Sequence, residues 1–216
     1  MSDPRASVVA AIEACGVVAV IRLQDPTRLE RVVDALVAGG VRALEVTMTV
    51  PGAVELIRRL APRLSAEFLL GAGTVLDAAT AERVIDAGAR FVVSPVLRPD
   101  VIAAGHRRDV PVLPGCFSPT EILTAWEAGA DIVKVFPATA LGPAFFRDVR
   151  GPLPQVKLMP TGGVTVDNAG DWIRAGAVAV GVGTALLDAA AIAAGNYAVI
   201  TANATRIVAN VAAARA

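Results

Sequence analysis

The stretch Ala38-Gly-Gly-Val-Arg-Ala-Leu-Glu-Val-Thr-Met48 packs a helix end, a break and a buried strand into a single short run. Its Ala-Gly step, followed by an apolar run, recurs at Ala87-Gly88, Ala128-Gly129 and Ala175-Gly176. The glycines are spaced 49, 41 and 47 residues apart. Each follows a segment of helical spacing, where glycine accepts the left-handed backbone that stops a helix. Between successive repeats lies one further strand–helix pair. The strands so read cover 17–22, 42–48, 68–74, 91–95, 111–116, 131–137, 156–162 and 179–184. Helices fill the intervals, several starting at Asp25-Pro26, Asp77, Ser118-Pro119 and Asp167. A helix before Gly16 and an Ala-rich helix after Leu187 close the ends.

Strands alternating with helices in this way define either a closed (β/α)8 barrel or an open doubly wound sheet. About 27 residues per unit is compact but within range for the barrel. Gly- and Pro-rich turns follow most strands, not one switch point, and this favours the barrel. The expected architecture is one α/β domain over residues 1–216, a (β/α)8 TIM barrel with an N-terminal helix. No linker, charge block or low-complexity stretch divides the chain.

Composition agrees. Apolar residues make up 55% of the 216 and aromatics 4%. Such a core is built from Val, Ile, Leu and Ala, as in buried parallel strands packed on helices. Lys+Arg and Asp+Glu both number 20, so no nucleic-acid or membrane-surface partner is expected. A small local anion site stays open. Cys15 and Cys116 stand far apart with no CxxC, which argues against a structural disulfide and a zinc site. The N-terminus has no basic leader pattern, and the apolar run 17–21 is too short to span a bilayer. A cytoplasmic protein is expected.

Two charges fall where the core should be. In the sixth strand, Asp131-Ile-Val-Lys-Val-Phe-Pro137, alternation puts Ile132, Lys134 and Phe136 on one face. In the second, Ala43, Glu45 and Thr47 share a face, and Leu44, Val46 and Met48 form the apolar one. Glu45 then points inward. In a barrel both faces are buried, so Lys134 sits where a full charge costs several kcal/mol unless paired. Strands two and six lie opposite each other in such a barrel, so Glu45 and Lys134 face across its interior. One reading is a buried structural ion pair. The other is a nucleophilic lysine with a carboxylate beside it, near the C-terminal mouth where barrel active sites lie. A desolvated lysine can fall from a reference pKa of ~10.4 to ~7–8 and attack a ketone.

The mouth offers anion sites. The seventh strand ends in Met159-Pro-Thr-Gly-Gly-Val164 and the eighth in Gly181-Val-Gly-Thr184. Such glycines let backbone N–H groups approach an anion, and in this fold phosphate often binds after these strands. The alternative is a pair of packing turns. Arg22 ends the first strand and suits a substrate carboxylate, or else pairs with a rim acid. Thr74 ends the third strand, as a donor to that carboxylate or as a helix cap. His106, the only histidine, reads as a surface residue, which weakens serine-type triads. Trp126 and Trp172 read as packing residues. Lys157 opens the seventh strand at the opposite end and is a poor nucleophile candidate.

These residues carry a resemblance. The segments 18–22, 39–51 and 71–75, then Ser94-Pro95, Pro114-Gly115 with Pro119-Thr-Glu121, Lys134-Val-Phe-Pro137, Pro160-Thr-Gly-Gly163 and Gly181-Val-Gly-Thr184, run in order over nearly the whole chain. The chain resembles the 2-keto-3-deoxy-6-phosphogluconate and 4-hydroxy-2-oxoglutarate aldolases. The resemblance implies a class I aldolase with no metal and no cofactor, typically a homotrimer, acting on a small phosphorylated 2-keto acid. It implies Lys134 as the Schiff-base residue and Glu45 as the proton carrier. Arg22, Thr74 and Thr161 would hold the pyruvate carboxylate and keto group, and Pro95 and Phe136 would wall the site. Gly162, Gly163, Gly183 and Thr184 would bind phosphate.

Departures concern substrate preference. Thr49 stands where some members carry an arginine, and Ala138-Thr139 replaces a more usual acidic residue. The implied products are pyruvate and glyceraldehyde 3-phosphate, or pyruvate and glyoxylate from 4-hydroxy-2-oxoglutarate; the galactonate epimer is an alternative substrate. A phosphosugar epimerase using Glu45 on the same barrel is a second enzyme reading. A regulatory barrel binding a phosphometabolite is a third reading, without catalysis.

Overall fold

The structure, a computed structural model, describes residues 4–216; the first three residues of the N-terminal segment discussed above lie outside it. Helix α1 (Pro4–Cys15) opens it, with proline where a missing N–H is tolerated. The strands that follow are β1 (Val17–Ile21), β2 (Ala43–Thr47), β3 (Leu69–Gly73), β4 (Val92–Val93) and β5 (Val112–Leu113). Then come β6 (Gly115–Cys116), β7 (Val133–Val135), β8 (Leu158–Pro160) and β9 (Val180–Val182). Between them run α2 (Leu29–Ala38), α3 (Ala53–Leu60), α4 (Ala78–Asp86), α5 (Pro99–His106), α6 (Pro119–Glu127), α7 (Gly142–Arg150) and α8 (Ala169–Arg174). Helices α9 (Ala189–Ala193) and α10 (Tyr197–Ala213) end the chain.

The fold is α/β with parallel, curled sheets. One sheet has the order β5-β4-β3-β2-β1-β9 and the other β6-β7-β8. Parallel bridges from Leu158 to Ala177 and from Thr161 to Gly181 tie β8 to the β9 segment. Segment 111–116, read above as one strand, is two. Pro114 has no N–H for a ladder, so the chain pairs with β4 before it and with β7 after it.

Alternation sorts the side chains into two cores. Val17, Ala19 and Ile21 of β1, Leu44 and Val46 of β2, and Val133 and Val135 of β7 face the helices. Val18, Ala43, Leu69, Phe91, Val93, Leu113, Ile132, Met159 and Ala179 face inward and meet one another. Val8, Val9 and Ile12 of α1 join this inner cluster and plug its N-terminal end. A fully buried aliphatic side chain contributes about 1.5–3 kcal/mol.

Helix ends follow the sequence with three corrections. Gly88, Gly129 and Gly176 are left-handed stops (φ 106, 90 and 102), but after α2 the left-handed residue is Gly40, not Gly39. Gly39 instead allows close packing, since a Cβ there would lie 2.3 Å from the Ala204 Cβ of α10. Helix α8 does not begin at Asp167. Thr165 N–H donates to Asn168 Oδ1 (2.7 Å) and Asn168 N–H to Thr165 Oγ1 (3.1 Å), while Asp167 pairs with Arg206. His106 is no free surface residue. Its ring fills the space left by Gly129, and its Nε2 lies 3.5 Å from Asp131 Oδ2. Asp77 and Ser118 cap α4 and α6 as read, Ser118 within a capping box with Glu121.

Candidate active site

Lys134 is the central residue of β7, in register with Gly115 and Met159. Its flanking valines are taken up by the helix-facing core, so its own side chain is turned inward. It is 5% exposed. Its Nζ lies 5.1 Å from the centroid of the Phe136 ring, within cation–π range.

Glu45 occupies the centre of β2, in register with Val20 and Gly71. It is wholly buried, and neither carboxylate oxygen has a hydrogen-bond partner. Burial pushes its carboxyl above the ordinary glutamate range; the charges of Lys134 and then Arg22 pull the other way without cancelling it. Among the described residues no ion pair within 4.0 Å joins Lys134 to any carboxylate. The two side chains feel each other's charge without forming a closed salt bridge. That is a poor arrangement for stability alone, because a buried charge is stabilised only by close geometry and full hydrogen bonding.

Small residues make the room. A Cβ on Gly73 would stand 1.8 Å from Glu45 Oε1, and one on Gly181 would stand 2.3 Å from Thr161 Oγ1. Two residues beyond Glu45, the buried Thr47 donates to Ile21 O (3.1 Å) and lies 2.7 Å from Thr49 Oγ1. The buried thiol of Cys116 is inert, for burial and the Glu121 charge push it up to about 12.

A cavity of about 250 Å³ opens where β1, β7, β8 and β9 end. Arg22, Phe136, Thr161, Gly162, Gly183 and Thr184 line it together, as the sequence reading groups them. Lys134 is outside the lining but adjoins it through the Phe136 ring. The exposed Arg22 has no carboxylate partner within 4.0 Å among the described residues, so the rim-pair reading is not what is found. Thr161 is buried, and its Oγ1 has no hydrogen-bond partner. Gly162 and Gly163 both have positive φ (93 and 73) and turn the chain across Thr139.

Glu45, like Lys134, is outside the lining, and three further expected residues lie elsewhere. Pro95 and Gly163 fall outside this lining. Thr74 lines a different depression of about 620 Å³, with the segment after β2 and the start of α4. Its φ of 59 is rare for a β-branched residue. Nor does it cap α4, where Asp77 accepts from Thr80 N–H. The sequence reading also missed Val20, Leu187 and Ala189 in the lining. Inward alternation with Val18 identifies Val20. The other two follow the Gly183 turn, with no periodic signal to show that the chain folds back.

Among the described residues no group of three His, Cys, Asp or Glu side chains is gathered as a metal would need, and no helix is long and apolar enough to cross a membrane.

Comparison with known proteins gives the context. The family model described as KDPG and KHG aldolase matches residues 8–203. The 2-dehydro-3-deoxy-phosphogluconate aldolase of Treponema pallidum is 39% identical over 86% of this chain and 87% of its own. A probable 2-dehydro-3-deoxy-6-phosphogalactonate aldolase of Rhizobium meliloti is 37% identical over 78% of this chain and 80% of its own. A crystal structure of the Legionella pneumophila KDPG aldolase, with pyruvate captured at low pH as a covalent carbinolamine intermediate, superposes with a TM-score of 0.86 at 31% identity. It covers 95% of this chain and 98% of that one. The chain therefore belongs to the KDPG and KHG aldolase family of carbon–carbon lyases.

Proposed function

We propose that this protein cleaves 2-keto-3-deoxy-6-phosphogluconate to pyruvate and glyceraldehyde 3-phosphate through a Schiff base on Lys134. One observation carries the reading: Lys134 and Glu45 are both buried, electrostatically coupled and yet unpaired, with two carboxylate oxygens left free of hydrogen bonds. Groups so costly to bury are kept for what they do to a third partner.

The amine of Lys134 attacks the C2 ketone, and Glu45 gives a proton to the carbinolamine hydroxyl, which leaves as water to form the iminium and leaves Glu45 as carboxylate. Glu45 takes the C4 hydroxyl proton. The C3–C4 bond breaks, its electron pair passes into the enamine, and the aldehyde leaves. Protonation at C3 and hydrolysis release pyruvate and free the lysine. The Phe136 ring faces the cationic nitrogen. Arg22 and Thr161 hold the carboxylate and keto end, and Thr74 and Pro95 serve only if a loop moves them inward. Gly162, Gly163, Gly183 and Thr184 receive the phosphate. No metal or cofactor is required by this scheme.

In this reading the two sheets are one closed (β/α)8 barrel in a single domain. Pro114 interrupts its fifth strand, and the β8–β9 bridges support closure. Homotrimer assembly and a cytoplasmic setting rest on the family resemblance. The galactonate epimer is a second substrate reading, supported by the Rhizobium relative, and 4-hydroxy-2-oxoglutarate a third.

Pyruvate release from the three acids tests the assignment. Fastest cleavage of the phosphogluconate-derived acid is expected, and preference for either other substrate reassigns it. Lys134→Met is expected to abolish turnover and keep the fold; normal cleavage by that variant contradicts the mechanism.

A further inference from the structure

Two loops that follow the paired strands β1 and β9 line the 250 Å³ cavity, and one side chain joins them. Arg22 starts the loop after β1. Thr184 and Leu187 belong to the segment after β9, which runs into α9. Arg28 donates from Nη1 to Ile192 O and to Ala193 O (3.1 Å), the last carbonyls of α9. Its Nε donates to Asp25 Oδ2 at 3.0 Å, and Asp25 Oδ1 accepts Thr27 N–H at 3.0 Å. The guanidinium thus has one arm in its own loop and another on the neighbouring helix. Carbonyls at a helix C-terminus carry partial negative charge and suit a cation. Among the described residues no other hydrogen bond or ion pair joins segment 22–28 to segment 184–196.

The joint supports a wall. Arg22, Leu187 and Ala189 line the cavity and also a second one of about 360 Å³ on its far side. Asp25, Arg28, Ile192 and Ala193 line that second cavity. The partition between the two spaces is therefore made of residues from the two loops that Arg28 ties together. Arg28 itself lines only the second cavity, so it acts through the partition and not on the ligand.

We propose that Arg28 is a positioning residue that fixes the span between Arg22 and the Gly183–Thr184 turn, and so selects acids held at both ends. The proposal rests on the reading above, in which Arg22 meets the carboxylate and the glycine turns meet the phosphate. A phosphorylated acid gripped at both ends depends on that span. Pyruvate, gripped at one end, does not.

The test uses the full-length protein and its Arg28→Ala and Arg28→Gln variants. Three quantities are measured: KM and kcat for the phosphorylated acid, KM for 4-hydroxy-2-oxoglutarate, and half-saturation by pyruvate in borohydride trapping. The expected result is a KM about tenfold higher for the phosphorylated acid, with kcat changed less than about twofold. KM for 4-hydroxy-2-oxoglutarate and half-saturation by pyruvate stay at the parent values. An unchanged KM for the phosphorylated acid in both variants overturns the proposal. So does a rise in all three quantities by one factor, which marks a general loss of structure. A parent protein that neither cleaves nor traps pyruvate fails the functional reading first, and this proposal falls with it.

Discussion

Gly73 of β3 is the reason Glu45 of β2 fits: a Cβ on the glycine would stand 1.8 Å from Glu45 Oε1. The strands are in register here, Thr47 facing Gly73 and Glu45 facing Gly71, so the carboxylate crosses into space vacated by its neighbour. No rotamer of alanine avoids the clash, since only Cβ is involved. Gly73→Ala is expected to displace the carboxylate and lower kcat by about 100-fold, a cost in keeping with ångström-scale misplacement of a reacting group. Pyruvate is still trapped on Lys134, because the amine lies on β7. Wild-type kcat in this variant would show that Glu45's position is not what the reaction needs.

The raised carboxyl of Glu45 makes two pH predictions of opposite use. For activity, the base form is lost as pH falls through a value above the ordinary glutamate one, so the acid limb of kcat/KM lies above about 4.3. For stability, a group raised on folding contributes fully below its unfolded value and loses that contribution as pH rises through its folded value. Glu45→Gln is therefore expected to melt higher than the parent at about pH 8, with the gap closing below about pH 4. It also removes the acid limb along with most turnover. Calorimetry at the two pH values and a kcat/KM profile check both signs; a variant that melts lower at the higher pH goes against the burial argument.

Ile12 is fully buried on α1, within the inner cluster that plugs the N-terminal end. Ile12→Ala is expected to cost about 2–5 kcal/mol of unfolding free energy, since neighbouring strands cannot collapse into the gap. Urea unfolding measures it. A loss under about 1 kcal/mol would mean that the helix packs loosely on the strands.

The inward-facing charges were legible because strand alternation is rigid. Once Leu44 and Val46 face the helices, Glu45 has one place to go, and Val133 and Val135 fix Lys134 in the same way. The grouping of Arg22, Phe136, Thr161, Gly162, Gly183 and Thr184 was legible for a related reason, as each follows the end of a strand. What sequence could not show depends on the chain beyond those ends. Thr74, outside the cavity lining, has a left-handed backbone torsion that no propensity predicts for a β-branched residue. The split at Pro114 depends on which neighbour each half meets. Leu187 and Ala189 line the cavity at the start of α9, whose last carbonyls meet Arg28, a contact 164 residues apart in sequence. The part-burial of His106 depends on the space at Gly129, which no pattern in the sequence shows.

The most direct measurement is borohydride reduction in the presence of pyruvate, followed by peptide mass analysis. A single added pyruvate-derived mass is expected on Lys134, absent from Lys134→Met. An unmodified Lys134 in protein that still releases pyruvate, or the added mass found on Lys157, would contradict the Schiff-base assignment.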